Sequence, residues 1–133
     1  MYEYRAMLMR VVDGDTVDLS VDLGFRVYTK LRVRLTGIDT PEVRGIERPE
    51  GLVAKAYVEA ALGKNFAADF GIVIRTNKTG KYGRWLADIF VPVDGFDQSD
   101  PGIREAITVV QEHSMIHVNK LLLVTGHAEK YEG

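Results

Sequence analysis

Three short segments hold residue types able to act on a phosphate ester. The first, Asp13-Gly14-Asp15-Thr16, sets two carboxylates around a glycine. Alone it reads as a hairpin turn, and it lacks the further oxygen ligands and glycine spacing of an EF-hand. The second, Arg34-Leu35-Thr36-Gly37-Ile38-Asp39-Thr40-Pro41-Glu42, brings a guanidinium, a carboxylate, a hydroxyl residue before proline and a second carboxylate into one stretch. Pro41 biases Thr40 toward extended backbone, which aims its carbonyl in a fixed direction. Hard divalent cations take such carboxylate and carbonyl oxygens, with water completing the shell. The blander alternative is a surface turn with a local Arg34–Asp39 ion pair. The third segment, Lys78-Thr79-Gly80-Lys81-Tyr82-Gly83-Arg84-Trp85-Leu86, interleaves basic and aromatic side chains. That mixture suits a phosphate beside a stacked base, and the arginine fork matches a phosphoryl group. Its bland alternative is a solvated hairpin with Trp85 in the core. His113, His117 and His127 have no metal-ligand spacing and no obvious partner.

These segments must be held by the elements between them. Thr16 to Leu23 alternates apolar and polar residues, as does Val27 to Thr36, so each predicts a half-buried strand. Tyr4 to Val12 supplies a strand before them, joined through an Asp13-Gly14 tight turn. From Pro49 the period becomes helical, with Leu52, Val53, Ala56, Tyr57 and Ala60 in phase until Gly63. Phe70 to Thr76 and Trp85 to Val91 are β-branched and aromatic, hence strands. Ile103 to His117 is compatible with a helix or a hairpin. Asn119 is placed as the N-cap of a final helix through Thr125, stopped by Gly126. Five short strands with a helix after the third fit a mainly β, OB-type Greek-key barrel carrying two or three short helices. A small β-sandwich is the alternative.

The chain has 133 residues, 46% hydrophobic and 27% charged, and no cysteine. That length and composition fit one domain over residues 1–133 and exclude disulfides and thiolate metal sites. No stretch reads as a secretory leader or membrane span, so the expectation is a cytoplasmic protein, or a secreted one if a leader has been removed. The net charge of −2 runs against the basic footprint of most nucleic-acid binders. The distribution softens this. Arg26, Lys30, Arg32, Arg34, Arg44 and Arg48 crowd the first half, which leaves room for a local positive cleft.

Taken together and in order, DGDT, R-x-x-x-x-D-T-P-E and K-Y-G-R-x-L-A make the chain resemble the staphylococcal-nuclease (thermonuclease) family. The likeness runs from Arg10 to Val91 and resumes from Val118-Asn119 to Gly126. It implies that Asp15 and Asp39 bind Ca²⁺ with the Thr40 carbonyl, and that Asp13 stands behind them. Glu42 would activate or position the water, Arg34 and Arg84 would grip the phosphate, and Lys81 and Tyr82 would touch the nucleotide. The implied activity is Ca²⁺-dependent hydrolysis of DNA and RNA phosphodiesters, leaving 3′-phosphate ends, by a monomer that needs no membrane.

The chain departs from the family type in three ways. It is acidic, it carries an insertion at about 92–117, and it stops soon after Tyr131 where longer members continue into a helix. Tyr131 is a loose substitute for the family's C-terminal tyrosines. The competing readings are a non-catalytic nucleic-acid- or protein-binding module on the same barrel, and a structural accessory domain using the insertion as a partner surface. Retention of Asp15, Arg34, Asp39, Glu42 and Arg84 argues for the nuclease.

Overall fold

A computed structural model of the protein describes residues 2–63, 70–79 and 84–131, with backbone alone at 77–79. The predicted strands form, and their alternation decides which face is buried. β1 (Tyr2–Asp13), β2 (Thr16–Asp22) and β3 (Tyr28–Leu35) make an antiparallel meander. β5 (Ile72–Thr79) pairs with the start of β1, and β6 (Trp85–Pro92) pairs with β5. A short parallel pairing of β6 with β3, from Val33–Trp85 to Leu35–Ala87, closes the five strands into an OB-like barrel. Val17, Leu19, Val21, Val33, Leu35, Ile72, Ile74 and Ile89 fill its interior and are essentially inaccessible to solvent.

β1 changes phase partway along. Ala6 and Leu8 face the core, then a bulge between Leu8 and Arg10 shifts the register, and Val11 is the next buried residue. One extra residue in a strand turns the following side chains over. Arg10 therefore faces outward beside its partner Asp18. The β1–β2 turn also sits one residue later than the Asp-Gly motif predicts. Asp13 still pairs with Thr16, so the loop residues are Gly14 and Asp15.

Helix α1 (Arg48–Gly63) follows a 3₁₀ turn over Gly45–Glu47 and buries Gly51, Ala54, Val58, Ala61 and Leu62. That stripe lies along one helical face. It is not the expected one: Leu52, Val53, Ala56 and Ala60 are exposed and Tyr57 is half-buried, because α1 packs through its small residues Gly51 and Ala54 against the Glu42 backbone and the β1–β2 turn. The helix-or-hairpin alternative over Ile103 to His117 resolves as both. α2 (Pro101–Glu105) is capped by the Asp100 carboxylate, which accepts the Gly102 amide at 2.8 Å. β7 (Ile107–Val110) and β8 (His113–His117) then form a hairpin whose loop residues Gln111 and Glu112 both have left-handed φ, 53° and 68°. Two such residues make the turn that matches strand twist. β8 pairs with β6 and extends the sheet beyond the barrel, over a small outer cluster of Val73, Phe90, Val110 and Met115.

α3 (Val118–Val124) corrects the predicted cap. His117 is the N-cap residue and Asn119 lies inside the helix, buried. Its side chain accepts the Ile89 amide at 3.0 Å and donates to the carbonyls of Thr36 at 3.0 Å and Ala87 at 3.2 Å. Asn119 thus satisfies backbone groups at the seam where β3 meets β6, a better use of a buried amide than a cap. A two-residue ladder joins β4 (Ile38–Asp39) to β9 (Glu129–Lys130). No helix among the described residues is long and apolar enough to cross a membrane.

Candidate active site

Asp15 sits in the β1–β2 turn with only 5% of its surface exposed. Burying a carboxylate requires donors, and it has them. Oδ2 accepts the Thr40 amide at 3.0 Å, and Oδ1 accepts the Thr16 hydroxyl at 3.0 Å. Gly14 makes the approach possible, because a Cβ there would come within 3.0 Å of Ala54 and of the Thr40 side chain. The turn is wedged between α1 and the Thr40 segment.

Arg34 reaches the same place from the end of β3, with its side chain 17% exposed. Gly37, at φ 75°, reverses the chain after β3 in a conformation few other residues tolerate. Asp39 returns beside Arg34 as a result. One guanidinium nitrogen donates to the Ile38 carbonyl at 3.3 Å and to Asp39 Oδ1 at 3.1 Å, and lies 3.5 Å from Asp15 Oδ2. The local ion pair anticipated between Arg34 and Asp39 is real, and it bridges onward to Asp15.

The last described residues roof the site. Asp39 is the register partner of Glu129, and the Tyr131 amide donates to the Gly37 carbonyl at 2.9 Å. The Tyr131 ring centre lies 5.0 Å from the Arg34 guanidinium carbon, a cation–π distance. Beside them Asp39, Thr40, Pro41, Glu47, His127 and Glu129 line a recess of about 160 Å³. His127 stacks on Tyr57 with ring centres 4.1 Å apart and pairs with the Thr125 hydroxyl at 2.7 Å. His117 lies 2.9 Å from Asp88 and stacks on Phe90. Both imidazoles therefore have partners that spacing did not reveal.

The fold brings Asp15, Arg34, Asp39 and the Thr40 amide together. Glu42 follows on an exposed stretch, its amide donating to Glu47 Oε1 at 3.3 Å and its carbonyl packed against Gly51. Arg84 is exposed at the start of β6. Strand alternation gives it the face of Leu86, which pairs with Arg34. Trp85 is not in the core: it is 40% exposed, at an apolar barrel mouth with Tyr2, Tyr4 and Leu23. Lys81 and Tyr82 lie outside the described residues. Sequence reading missed Gly51, Glu47, Glu129 and the position of Tyr131, which become neighbours of the site only through long-range packing.

The donor set fits a hard cation in kind. Two carboxylates reach one nitrogen, and the Thr40 Oγ1 between them and α1 is buried with no hydrogen-bond partner. Oxygen-only ligands with room for water are what Ca²⁺ takes. Among the described residues, no three acidic or imidazole side chains converge as a ready-made cage. Water and phosphate oxygens would have to supply the remainder.

No protein-family model matches the chain. It is 32% identical to Protein ParB of Escherichia coli over 92 residues, covering 69% of this chain and 45% of that protein. It is 27% identical to an uncharacterized protein of Methanocaldococcus jannaschii, MJ1439, over 147 aligned residues, covering 96% of this chain and 59% of that protein. The chain spans about half the length of the curated relatives it matches.

Proposed function

We propose that the protein is a Ca²⁺-dependent nuclease of the staphylococcal-nuclease type, hydrolysing DNA and RNA phosphodiesters to 3′-phosphate and 5′-hydroxyl ends. The observation that carries this reading is Arg34, held between the Asp15 and Asp39 carboxylates, the second of which lines a recess. A phosphodiester resists attack because it is already negative, so its charge must be met before a nucleophile approaches. Arg34 and Arg84 are the guanidinium groups able to donate to its phosphoryl oxygens. Asp15, Asp39 and the Thr40 carbonyl would hold Ca²⁺, which would supply charge neutralisation at the phosphate and orientation of the attacking water. Glu42 takes the proton of that water as its oxygen bonds to phosphorus. The P–O5′ bond breaks, and the departing oxygen takes a proton from solvent water. Removal of one preorganised donor costs roughly 10²–10³ in kcat, the expectation for Arg34→Ala.

A Ca²⁺ titration of single-stranded DNA and RNA digestion, with analysis of the 3′ ends, tests this. Intact substrates at millimolar-range Ca²⁺, with Glu42→Gln indistinguishable from wild type, end the proposal. One observation favours a second reading, a non-catalytic nucleic-acid-binding barrel: Arg34 is already engaged by two carboxylates and a ring. Nucleic-acid binding that persists in chelator, with no cleavage when Ca²⁺ is added, selects it.

A further inference from the structure

β7 ends the seven-stranded sheet: it pairs with β8 on one side and, among the described residues, with no strand on the other. At the opposite end β3 closes partly onto β6, and the open part of that edge carries Lys30 and Arg32. Charges of that kind blunt an edge against further pairing. β7 has no such guard. Its residues Ile107-Thr108-Val109-Val110 are all β-branched, with neither a charge nor a proline. Register decides which of their backbone groups face outward. The two-residue turn at Gln111-Glu112 makes Val110 and His113 a hydrogen-bonded pair, and such pairs recur at every second residue. The His117 amide, donating to the Ala106 carbonyl at 2.8 Å, keeps the same phase. Thr108 and Val110 therefore direct their N–H and C=O groups to β8, and those of Ile107 and Val109 point away from the sheet. No turn or loop backbone among the described residues bonds to them. The Val109 side chain is 68% exposed. It shares a face with Ile107, which packs on the core.

We propose that β7 is a dimerisation edge, occupied by β7 of a second copy of this chain running antiparallel about a two-fold axis through Thr108. The proposal goes beyond the nuclease reading, does not rest on it, and replaces the monomer that the family resemblance implies. An open edge is a template for another strand, and this one complements itself. With Ile107 set opposite Val109 of the second copy, every outward N–H and C=O of both strands is paired. A shift of two residues either way sets an outward residue against Gln111 in the turn or Glu105 in α2, whose backbones are not extended. The same register covers the exposed Val109 side chain with Ile107 of the second copy. It places Thr108 against its own counterpart, a pairing that strands favour. At each end it brings the exposed Arg104 toward the exposed Glu112 of the second copy. Two-fold symmetry makes that opposite-charge pair twice, which selects a second copy over an unrelated strand.

Analytical ultracentrifugation of the full chain from about 1 μM to about 1 mM, the range in which a small interface associates, tests this. Wild type should pass from monomer to dimer as concentration rises. Val109→Pro should stay monomeric throughout. Proline there removes an outward N–H and no bond to β8, so the hairpin keeps its ladder. Arg104→Glu and Glu112→Arg should each weaken association roughly ten-fold, and the double reversal Arg104→Glu/Glu112→Arg should restore it. Melting curves verify that each variant is folded. If Val109→Pro does not fold, Thr108→Lys takes its place: it sets two lysines face to face on the axis, and association should be lost. A wild type that stays monomeric to the highest concentration overturns the proposal. So does a dimer that survives in folded Val109→Pro or Thr108→Lys, or a double reversal that associates no better than the single ones.

Discussion

The carboxylate of Asp15 accepts the backbone amide of Thr40 at 3.0 Å, across 25 residues of chain. This bond ties the β1–β2 turn to the segment after β4, and both candidate cation ligands depend on it. It is buried, so its loss leaves an amide without an acceptor.

Asp15→Ala should destabilise the fold by about 1–3 kcal/mol, the cost of orphaning a buried donor. Urea denaturation measures it through the transition midpoint. An unchanged midpoint would show that water replaces the carboxylate and that the turn is not held as described.

Gly51→Ala tests how Glu42 is placed. A methyl group at position 51 would overlap the Glu42 carbonyl, because α1 lies directly against that backbone. Overpacking of this kind costs typically about 1–3 kcal/mol. Cleavage should fall more than stability explains, since the Glu42 segment must move. Full activity in a folded Gly51→Ala protein would separate Glu42 from the chemistry.

Asn119→Ala removes the acceptor of the Ile89 amide and the donor to two carbonyls at the β3–β6 seam. With those groups buried, we expect a loss of about 2–4 kcal/mol. Amide hydrogen exchange at Ile89 should accelerate with it. Undiminished protection there would contradict the role given to Asn119.

Burial lowers the His127 pKa from its ordinary 6.5, because desolvation penalises the imidazolium. Between the lowered value and 6.5 the unfolded chain binds the proton and the folded protein does not. Stability from this group is thus present above about pH 6.5 and is lost as pH falls through the lowered value. The wild-type melting temperature should drop more steeply than that of His127→Gln between about pH 7 and pH 5. Parallel curves would remove His127 as the cause.

Much of the fold was legible along the chain because strand alternation repeats over two residues; helical spacing located α1 but picked out Leu52, Val53, Ala56 and Ala60, which are exposed. Thr16 to Leu23 and Val27 to Thr36 announced β2 and β3 to within a residue or so. The order of the three motifs named the groups able to meet a phosphate. Local pattern was silent wherever a residue answers to a distant one. It placed Asn119 at a helix cap because asparagines favour caps, while the barrel seam offered three backbone partners 30 or more residues away, two of them in fully buried bonds.

What the sequence determined by itself is the five barrel strands, the span of α1 and the chemical inventory, since these are written in spacings of a few residues. Only the tertiary structure decided that Arg34 joins Asp15 to Asp39, that Tyr131 roofs it, and that a bulge turns Arg10 onto the face of Lys30 and Arg32. Those relationships depend on register and chain closure. Register and closure follow from burying one common core, a property of the whole chain that no short segment carries.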